Sequence, residues 1–417
     1  MFVTCQFLDD DKVDFSFFLK KMGRQLIEKL WPFFCFARLL GMFPYKRILT
    51  ENGTMELKPI SKKIHWGLYA FKWTLTIVST LFVTSWIFFK RTYDQLSECL
   101  VGYNGGHSAI NILALFLFLL FVTLEAILLQ IGNYKLRGNV CELSSQFKIA
   151  VKPDDTLSTP IFIFIGFLMA TLFTTTLYAF QLGWICHNCL DLSLINSLPL
   201  PIIHVLTYFI DAIPLFVFLA ITLDLFNGLD NEIKNLTVLI GQHKLNRSTL
   251  NYVSNMIISL EKVRSSLSFN LFCAMSCLLV EILVFLYQIP VLFFGYFKNN
   301  KGLLLLGATH NLLCAIRLLA LIWFINYRAQ MVTNQVHLLK DCLQETFISG
   351  KTNFNVRFEG QIVPASFMKD CIVGKLGNFA GFDGKGYFVL GKSFTAKFIG
   401  ILLYYVCILL KFHLSEK

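Results

Sequence analysis

Residues 112–131 read ILALFLFLLFVTLEAILLQI, twenty positions in which Glu125 is the only charged side chain. A hydrocarbon core about 30 Å thick is crossed by roughly 20 apolar helical residues, so this stretch is long enough to span a bilayer. Outward from it, six further runs have the same character: 67–89, 160–182, 202–223, 268–295, 303–325 and 393–412. Composition agrees. Of 417 residues, 55% are hydrophobic and 15% charged, Phe alone contributes 43, and mean hydropathy is +0.61. Soluble domains carry roughly 25% charged residues, and disordered chains are poor in aromatics, so both classes are excluded. The 12 Cys are scattered over the whole length, which excludes a small disulfide framework. Asp9, Asp10, Asp11 and Asp14 leave no apolar core for a secretory signal in the first 20 residues. The expected fold is an all-α polytopic membrane protein with seven transmembrane helices.

The formal charge of +11 orients this protein rather than pointing to nucleic acid. Segments on the side of the N-terminus (1–66, 132–159, 224–267, 326–392) hold 28 Lys and Arg, and those opposite hold 5. Basic loops stay inside, so the expected topology has a cytosolic N-terminus and an extracellular C-terminus. That is inverted relative to a G-protein-coupled receptor, and no D-R-Y follows the third span and no N-P-x-x-Y occurs in the seventh. The sequons at Asn52, Asn235 and Asn246 all fall on the inner side, where no glycan is added. A seven-helix receptor acting through G proteins is the alternative from another class.

Four regions follow: a cytosolic segment 1–66, spans 67–325 with a cytosolic hairpin at about 224–267, a cytosolic anchor and linker 326–392, and a last helix with a short outer tail, 393–417. Leu26–Pro44 is apolar but broken by Glu28, Lys29, Pro32 and Arg38, and reads as a helix lying in the interface. Long helical extensions are expected on the inner side. Leu225, Leu229, Glu232, Leu236, Leu239 and His243 continue the fourth span. With Ser248 as N-cap, Leu250, Val253, Ile257, Leu260, Val263 and Leu267 run at steps of three and four into the fifth. Val332, Val336, Leu339 and Leu343 prolong the sixth in the same way. These stripes need burial against each other or against neighbouring subunits. Between Gly350 and Lys392 a Gly-rich stretch is too polar to span, and Pro364 is expected to open a short helix, PASFMKDCIVGKL.

Polar side chains within spans are costly and mark function or pairing. His204, Tyr208 and Asp211 share one face of the fourth span, and His310, Asn311 and Arg317 descend the sixth. Thr174, Thr175, Thr176, Tyr178 and Gln181 occupy the outer half of the third, and Glu281 and Gln288 the fifth. Their depths coincide, which makes Thr175, Tyr178, Gln181, His204, Tyr208, Asp211, Glu281, Gln288, His310, Asn311 and Arg317 candidates for a ligand pocket in the outer half. Against this, Asp211 or Glu281 with Arg317 is equally a buried pair that orients helices, and the threonines equally bond their own backbone. Glu125 is expected near the inner end of the second span, reaching the interface. Cys186-His-Asn-Cys189 is expected in an outer loop, its thiols paired with each other or with Cys99. No nucleophile motif, phosphate loop or metal-binding helix is present in the sequence, so neither enzyme, cofactor nor metal is expected.

The run Tyr404-Tyr405-Val406-Cys407-Ile408-Leu409-Leu410-Lys411-Phe412 resembles the T-Y-h-h-h-h-h-Q-F motif (h, hydrophobic) that closes insect gustatory receptors, with Tyr404 in place of Thr and Lys411 in place of Gln. Gly381-Phe382 followed by Phe388-Val389-Leu390 resembles the G-F-F … L stretch before that helix. Leu40-Gly41-Met42-Phe43-Pro44-Tyr45 is similar to the L-G-x-x-P segment before the first span. The resemblance implies a taste receptor of gustatory neurons, in the plasma membrane, related to insect odorant receptors. It would be a homo- or hetero-tetrameric, ligand-gated, non-selective cation channel opened by a small-molecule tastant, with no nucleic-acid partner. Val406 stands where the family's sugar receptors tend to be acidic, so a bitter or plant-derived compound is expected over a sugar. The resemblance also makes Tyr405, Cys407, Ile408, Leu410, Lys411 and Phe412 candidates for the pore and gate. Lys411 either rings the mouth with charge or snorkels to the interface at the helix end.

Overall fold

The computed structural model describes residues 30–49, 55–61, scattered positions between 63 and 74, 109–146, 158–190, 199–242, 247–294, 301–349, 355–358 and 361–415. Most of the expected first span, Cys99, and the N-terminus before residue 30 lie outside the described residues. A short helix α1 (Trp31–Leu39) leads to the antiparallel hairpin β1 (Tyr45–Leu49) and β2 (Met55–Pro59). Five long helices follow: α2 (Ala109–Gln146), α3 (Ser158–Leu190), α4 (Pro199–Gln242), α5 (Arg247–Phe294) and α6 (Lys301–Ser349). A second hairpin, β3 (Asn355–Phe358) with β4 (Gln361–Pro364), precedes α7 (Ala365–Gly377) and the last helix α8 (Lys392–Ser415). Among the described residues five helices are long and apolar enough to cross a membrane, those holding Ile163–Phe180, Phe209–Gly241, Thr249–Leu292, Leu305–Glu345 and Ser393–Phe412. The chain is a helical, multi-pass membrane protein.

The extensions expected from periodicity are present. α5 has 48 residues, about 72 Å at 1.5 Å per residue, more than twice a hydrocarbon core. It starts one residue before Ser248, which therefore lies inside its first turn. Leu250, Val253, Ile257, Leu260, Val263 and Leu267 are all buried, as are Val332, Val336, Leu339 and Leu343 of α6. On α4 the buried row is Leu225, Leu229, Ile233, Leu236 and Ile240, with Leu239 turned half out. All three stripes belong to one hydrophobic core within the single chain. They bury one another and need no second subunit to do so.

Polar contacts fix how the helices cross. Asn270 of α5 donates from Nδ2 to Asn133 Oδ1 on α2 (3.1 Å), and Asn133 donates to the Pro214 carbonyl of α4 (3.1 Å). Gly132 makes this approach possible: a Cβ there would lie 1.8 Å from Asn270 Oδ1. Gly132→Ala therefore has to break the asparagine relay, and overpacking of this kind costs about 1–3 kcal/mol. A lowered melting temperature of the purified protein is the expected result, and an unchanged one would show that Asn270 swings aside freely.

Other parts differ from expectation. The two hairpins interrupt an otherwise helical chain. The helix expected over Leu26–Pro44 is only nine residues long, and it packs on the bundle: Phe34 and Ala37 are fully buried, and the Phe33 ring meets Phe164 of α3 and Phe216 of α4 at 5.5 and 6.2 Å. Gly41 turns the chain at φ 70°, and its carbonyl accepts from Gln130 of α2. Pro364 caps α7 in extended conformation (ψ 144°) instead of occupying its first turn. The Cys186–Cys189 segment is on the final turns of α3, not in a loop, because that helix continues to Leu190. Its cysteine side chains lie outside the described residues.

The Gly381–Gly391 loop is lashed to α5. Asp383 accepts from Arg264 Nε (2.7 Å), Ser268 Oγ (3.1 Å) and the Gly386 N–H (3.1 Å), and Ser268 in turn accepts from the Lys385 N–H (2.8 Å). Gly381, with φ 112°, begins this loop in a conformation that disfavours any side chain. Burial pushes the Asp383 carboxyl up, but the Arg264, Gly386 and Ser268 hydrogen bonds outweigh it and hold the group below the usual carboxylate range. A folded-state pKa below the unfolded one means the unfolded chain takes up the proton first, so the contribution is present at neutral pH and lost as pH falls through the lowered pKa. Asp383→Asn is expected to cost about 1–2 kcal/mol, discounted because the Arg264 side chain is 36% exposed. The melting-temperature gap between the variant and the parent chain should be flat from pH 7 to about 5 and close below about pH 4. A gap independent of pH would show that the loop is held by packing alone.

Candidate ligand site

Five long helices bring polar side chains to one level of the bundle. A cavity enclosing about 540 Å³ of empty space, its open mouth included, is lined on its polar side by Glu125 of α2, Thr171 of α3, Asp211 of α4, Glu281 of α5 and Arg317 of α6. Phe167, Leu215, Phe216, Leu219, Leu318 and Leu321 form the apolar wall. Small-molecule sites have this composition, apolar walls with a few convergent polar groups.

Three of the expected site residues, Asp211, Glu281 and Arg317, do meet here. Glu281 and Arg317 are buried and Asp211 is half-buried. Arg317 donates from Nη1 to Thr174 Oγ1 of α3 at 3.1 Å. The threonines otherwise follow local helix chemistry: Thr171, Thr174 and Thr175 donate to carbonyls one turn back at 2.8, 2.9 and 2.6 Å. Thr175 thereby satisfies its own helix and is not a cavity-lining residue.

Two turns from Arg317 along α6, a second group forms around His310. Its ring lies 5.2 Å from that of Tyr178 and 6.2 Å from that of Phe285. Nδ1 is 3.3 Å from Asn311 Oδ1 and Nε2 is 3.4 Å from Cys314 Sγ. This fits a ring that donates to Asn311 and accepts from the thiol, a neutral and fully engaged histidine. His310, Asn311 and Tyr178 thus belong together, but above the cavity. Gln288 is half-buried two turns beyond Glu281 and outside the lining. Gln181, His204 and Tyr208 are on α3 and α4, and their side chains lie outside the described residues.

Glu125 corrects the sequence reading. It does not reach an interface; it is 94% buried and its carboxyl group meets that of Glu281 at the cavity. A lone charge near the end of an apolar run reads as one that reaches out to the interface, and nothing local to its own helix reveals a partner on another. Thr171 and Thr174 are further contributors that the polarity pattern alone could not separate from their neighbours.

The last helix lies beside this site. Phe394, Phe398 and Leu402 form its buried row, and Leu409 and Leu410 pack on Tyr287 and Val291 of α5, six and ten residues beyond Glu281. Of the six pore and gate candidates, Leu410 therefore turns toward its own subunit and Ile408 is half-buried. Tyr405, Cys407, Lys411 and Phe412 are exposed.

No protein-family model and no curated protein matches the chain by sequence. Solved structures do match. The insect olfactory receptor OR5 from Machilis hrabei superposes with a TM-score of 0.60 at 12% identity, covering 93% of this chain and 99% of that one. The same receptor in complex with eugenol gives 0.63 at the same identity and coverage. Identity this low establishes likeness of fold, and it does so along nearly the whole chain. The fold of this protein is that of the insect olfactory receptor OR5.

Proposed function

We propose that this chain is a subunit of a chemosensory receptor of the taste type, a cation channel opened by a small molecule bound in the cavity between α2 and α6. The observation that carries this reading is the pairing of a cavity within the bundle with a last helix that is largely exposed. Only 17% of Ser393–Phe412 is buried, against 67% of Phe209–Gly241. A helix with so much free apolar surface requires lipid or other subunits around it, and four copies around an axis would supply a path lined by one helix each. Exposed Leu338, Phe367 and Tyr387 all lie within 326–392, the stretch that the charge bias places in the cytosol. Large apolar side chains facing water there favour burial between subunits. The 28-to-5 distribution of basic residues supports seven spans with the N-terminus inside. Contact of Tyr287 and Val291 with Leu409 and Leu410 offers the mechanical link from cavity to last helix. The OR5 complex with eugenol supports a small organic ligand, and a bitter or plant-derived compound is the class we favour.

The test is expression of the full chain in a non-neuronal cell with sugars and plant compounds applied outside. Ligand-evoked current that persists when G-protein signalling is blocked is expected. Current abolished by that block, or an N-terminal tag accessible on intact cells, would overturn the reading.

A further inference from the structure

We infer that the ligand of this cavity carries a protonated amine, held between the carboxyl groups of Glu125 and Glu281. The inference rests on the reading of the cavity as the ligand site and adds the chemical class of the ligand. Glu125 and Glu281 come from different helices, α2 and α5, and are 6% and 4% exposed. One oxygen of each, Oε1, is buried without a hydrogen-bond partner. Both line the cavity together with Asp211, and Arg317 is the one cationic side chain among the lining residues. Part of that guanidinium is committed to Thr174 at 3.1 Å. Three carboxyl groups thus face one arginine.

Two carboxyl groups in mutual contact inside an apolar bundle do not both ionise without a counter-charge. When the cavity is empty, a proton shared between them meets that requirement. An ammonium group does so better, because it supplies several N–H donors to two oxygens that otherwise lack any. The apolar wall of Phe167, Phe216 and Leu321 accommodates the hydrocarbon or aromatic remainder of the molecule. A neutral alcohol of the same shape fills that wall equally but brings a single O–H donor and no charge to the carboxyl pair. An anionic ligand adds to the excess. The cavity therefore discriminates by charge, in favour of amines.

The experiment uses the purified full-length receptor and two matched pairs, phenethylamine with phenethyl alcohol and tryptamine with tryptophol, read by ligand-induced thermal stabilisation. The amines are expected to stabilise the receptor and the alcohols to do so at least tenfold more weakly. Glu281→Gln and Glu125→Gln, each preserving side-chain size, are expected to weaken amine binding at least tenfold and to erase most of the preference for amine over alcohol. Equal binding of amines and alcohols, no binding of either amine, or amine selectivity that survives both substitutions would overturn the inference. If one variant does not fold, the other and the comparison on the parent chain still decide. Amine binding without any current would instead defeat the channel reading and leave this one standing; currents evoked by alcohols and not by amines would do the reverse.

Discussion

Arg317→Met should remove most of the protein from the cell surface and sharply lower the melting temperature of what can be purified. Arg317 is 91% buried, is the one cation among the residues lining the cavity, and bonds Thr174 across the α6–α3 contact. Its removal leaves Glu125, Asp211 and Glu281 around an apolar cavity with nothing to offset them. Deleting one partner of buried charges costs about 3–5 kcal/mol, because the remaining charge is left uncompensated. Against a total stability of roughly 5–15 kcal/mol for a typical domain, this is a large fraction. The electrostatic origin of the loss is separable from lost packing. Glu281→Gln added to Arg317→Met removes one carboxylate and should restore a substantial part of both surface expression and melting temperature. Arg317→Lys keeps the charge but gives up the planar fork, and should fall between. A double variant no better than Arg317→Met alone would show that the side chain acts by filling space.

This cavity also shows what a single sequence can and cannot disclose. The five spans found among the described residues are visible in the sequence from apolar length, and the extensions of α5 and α6 from stripes at steps of three and four, because both signals are local to one helix. The meeting of Asp211, Glu281 and Arg317 followed from comparing depths along separate spans, a one-dimensional inference that the bundle preserves. Depth carries no azimuth. Thr174 has the right depth for the site, and Glu125 reads as lying nearer the inner end, yet nothing in their own segments fixes which neighbour they face; residues 112–124 of α2 are apolar but for Thr123, so no polar face orients this part of the helix. The same gap separated His310 and Tyr178 from Arg317: two turns along α6 divide one expected pocket into two environments.

The hairpins are hard to read for a different reason. In the sequence, Asn52-Gly53 and Glu359-Gly360 are turn signals between short runs. In a chain dominated by helical apolar stretches, such runs are easily read as linker. The extent of α3 beyond residue 182 was illegible because a helix leaving the apolar zone needs no hydrophobic signal to continue. Conversely, the burial of the α4, α5 and α6 stripes within one chain shows that a protruding amphipathic helix does not by itself imply a second subunit; the exposed faces of α8 and of Phe367 and Tyr387 carry that inference instead.

Asn326→Ala is the second substitution expected to have a large effect, and it acts where the last helix begins. Asn326 of α6 is 95% buried and reads both backbone groups of Gly391: Oδ1 accepts from its N–H at 2.7 Å, and Nδ2 donates to its carbonyl at 3.1 Å. The same Nδ2 donates to Thr395 Oγ1 at 2.9 Å, one turn into α8. A single side chain thus fixes the chain at the junction between the Asp383 loop and the last helix. Alanine leaves the partly buried Gly391 N–H unsatisfied, at about 1–3 kcal/mol by the usual desolvation penalty, while the Gly391 carbonyl keeps its bond from the Phe394 N–H at 3.0 Å. Asn326→Asp retains the acceptor for the Gly391 N–H but sets a buried carboxyl group against the Gly391 carbonyl, so it should not rescue the loss. Faster hydrogen exchange at Gly391 and through the first turn of α8 is the direct expectation, with the α5 core around Leu260 unchanged. If α8 lines the conducting path, loosening its base should also raise current in the absence of ligand. Exchange at Gly391 equal to that of the parent chain would show that Phe394 and Phe398 hold the helix without the asparagine. Accelerated exchange without any change in current would mean that the base of α8 is anchored here but that opening is decided further out, where Leu409 and Leu410 meet Tyr287.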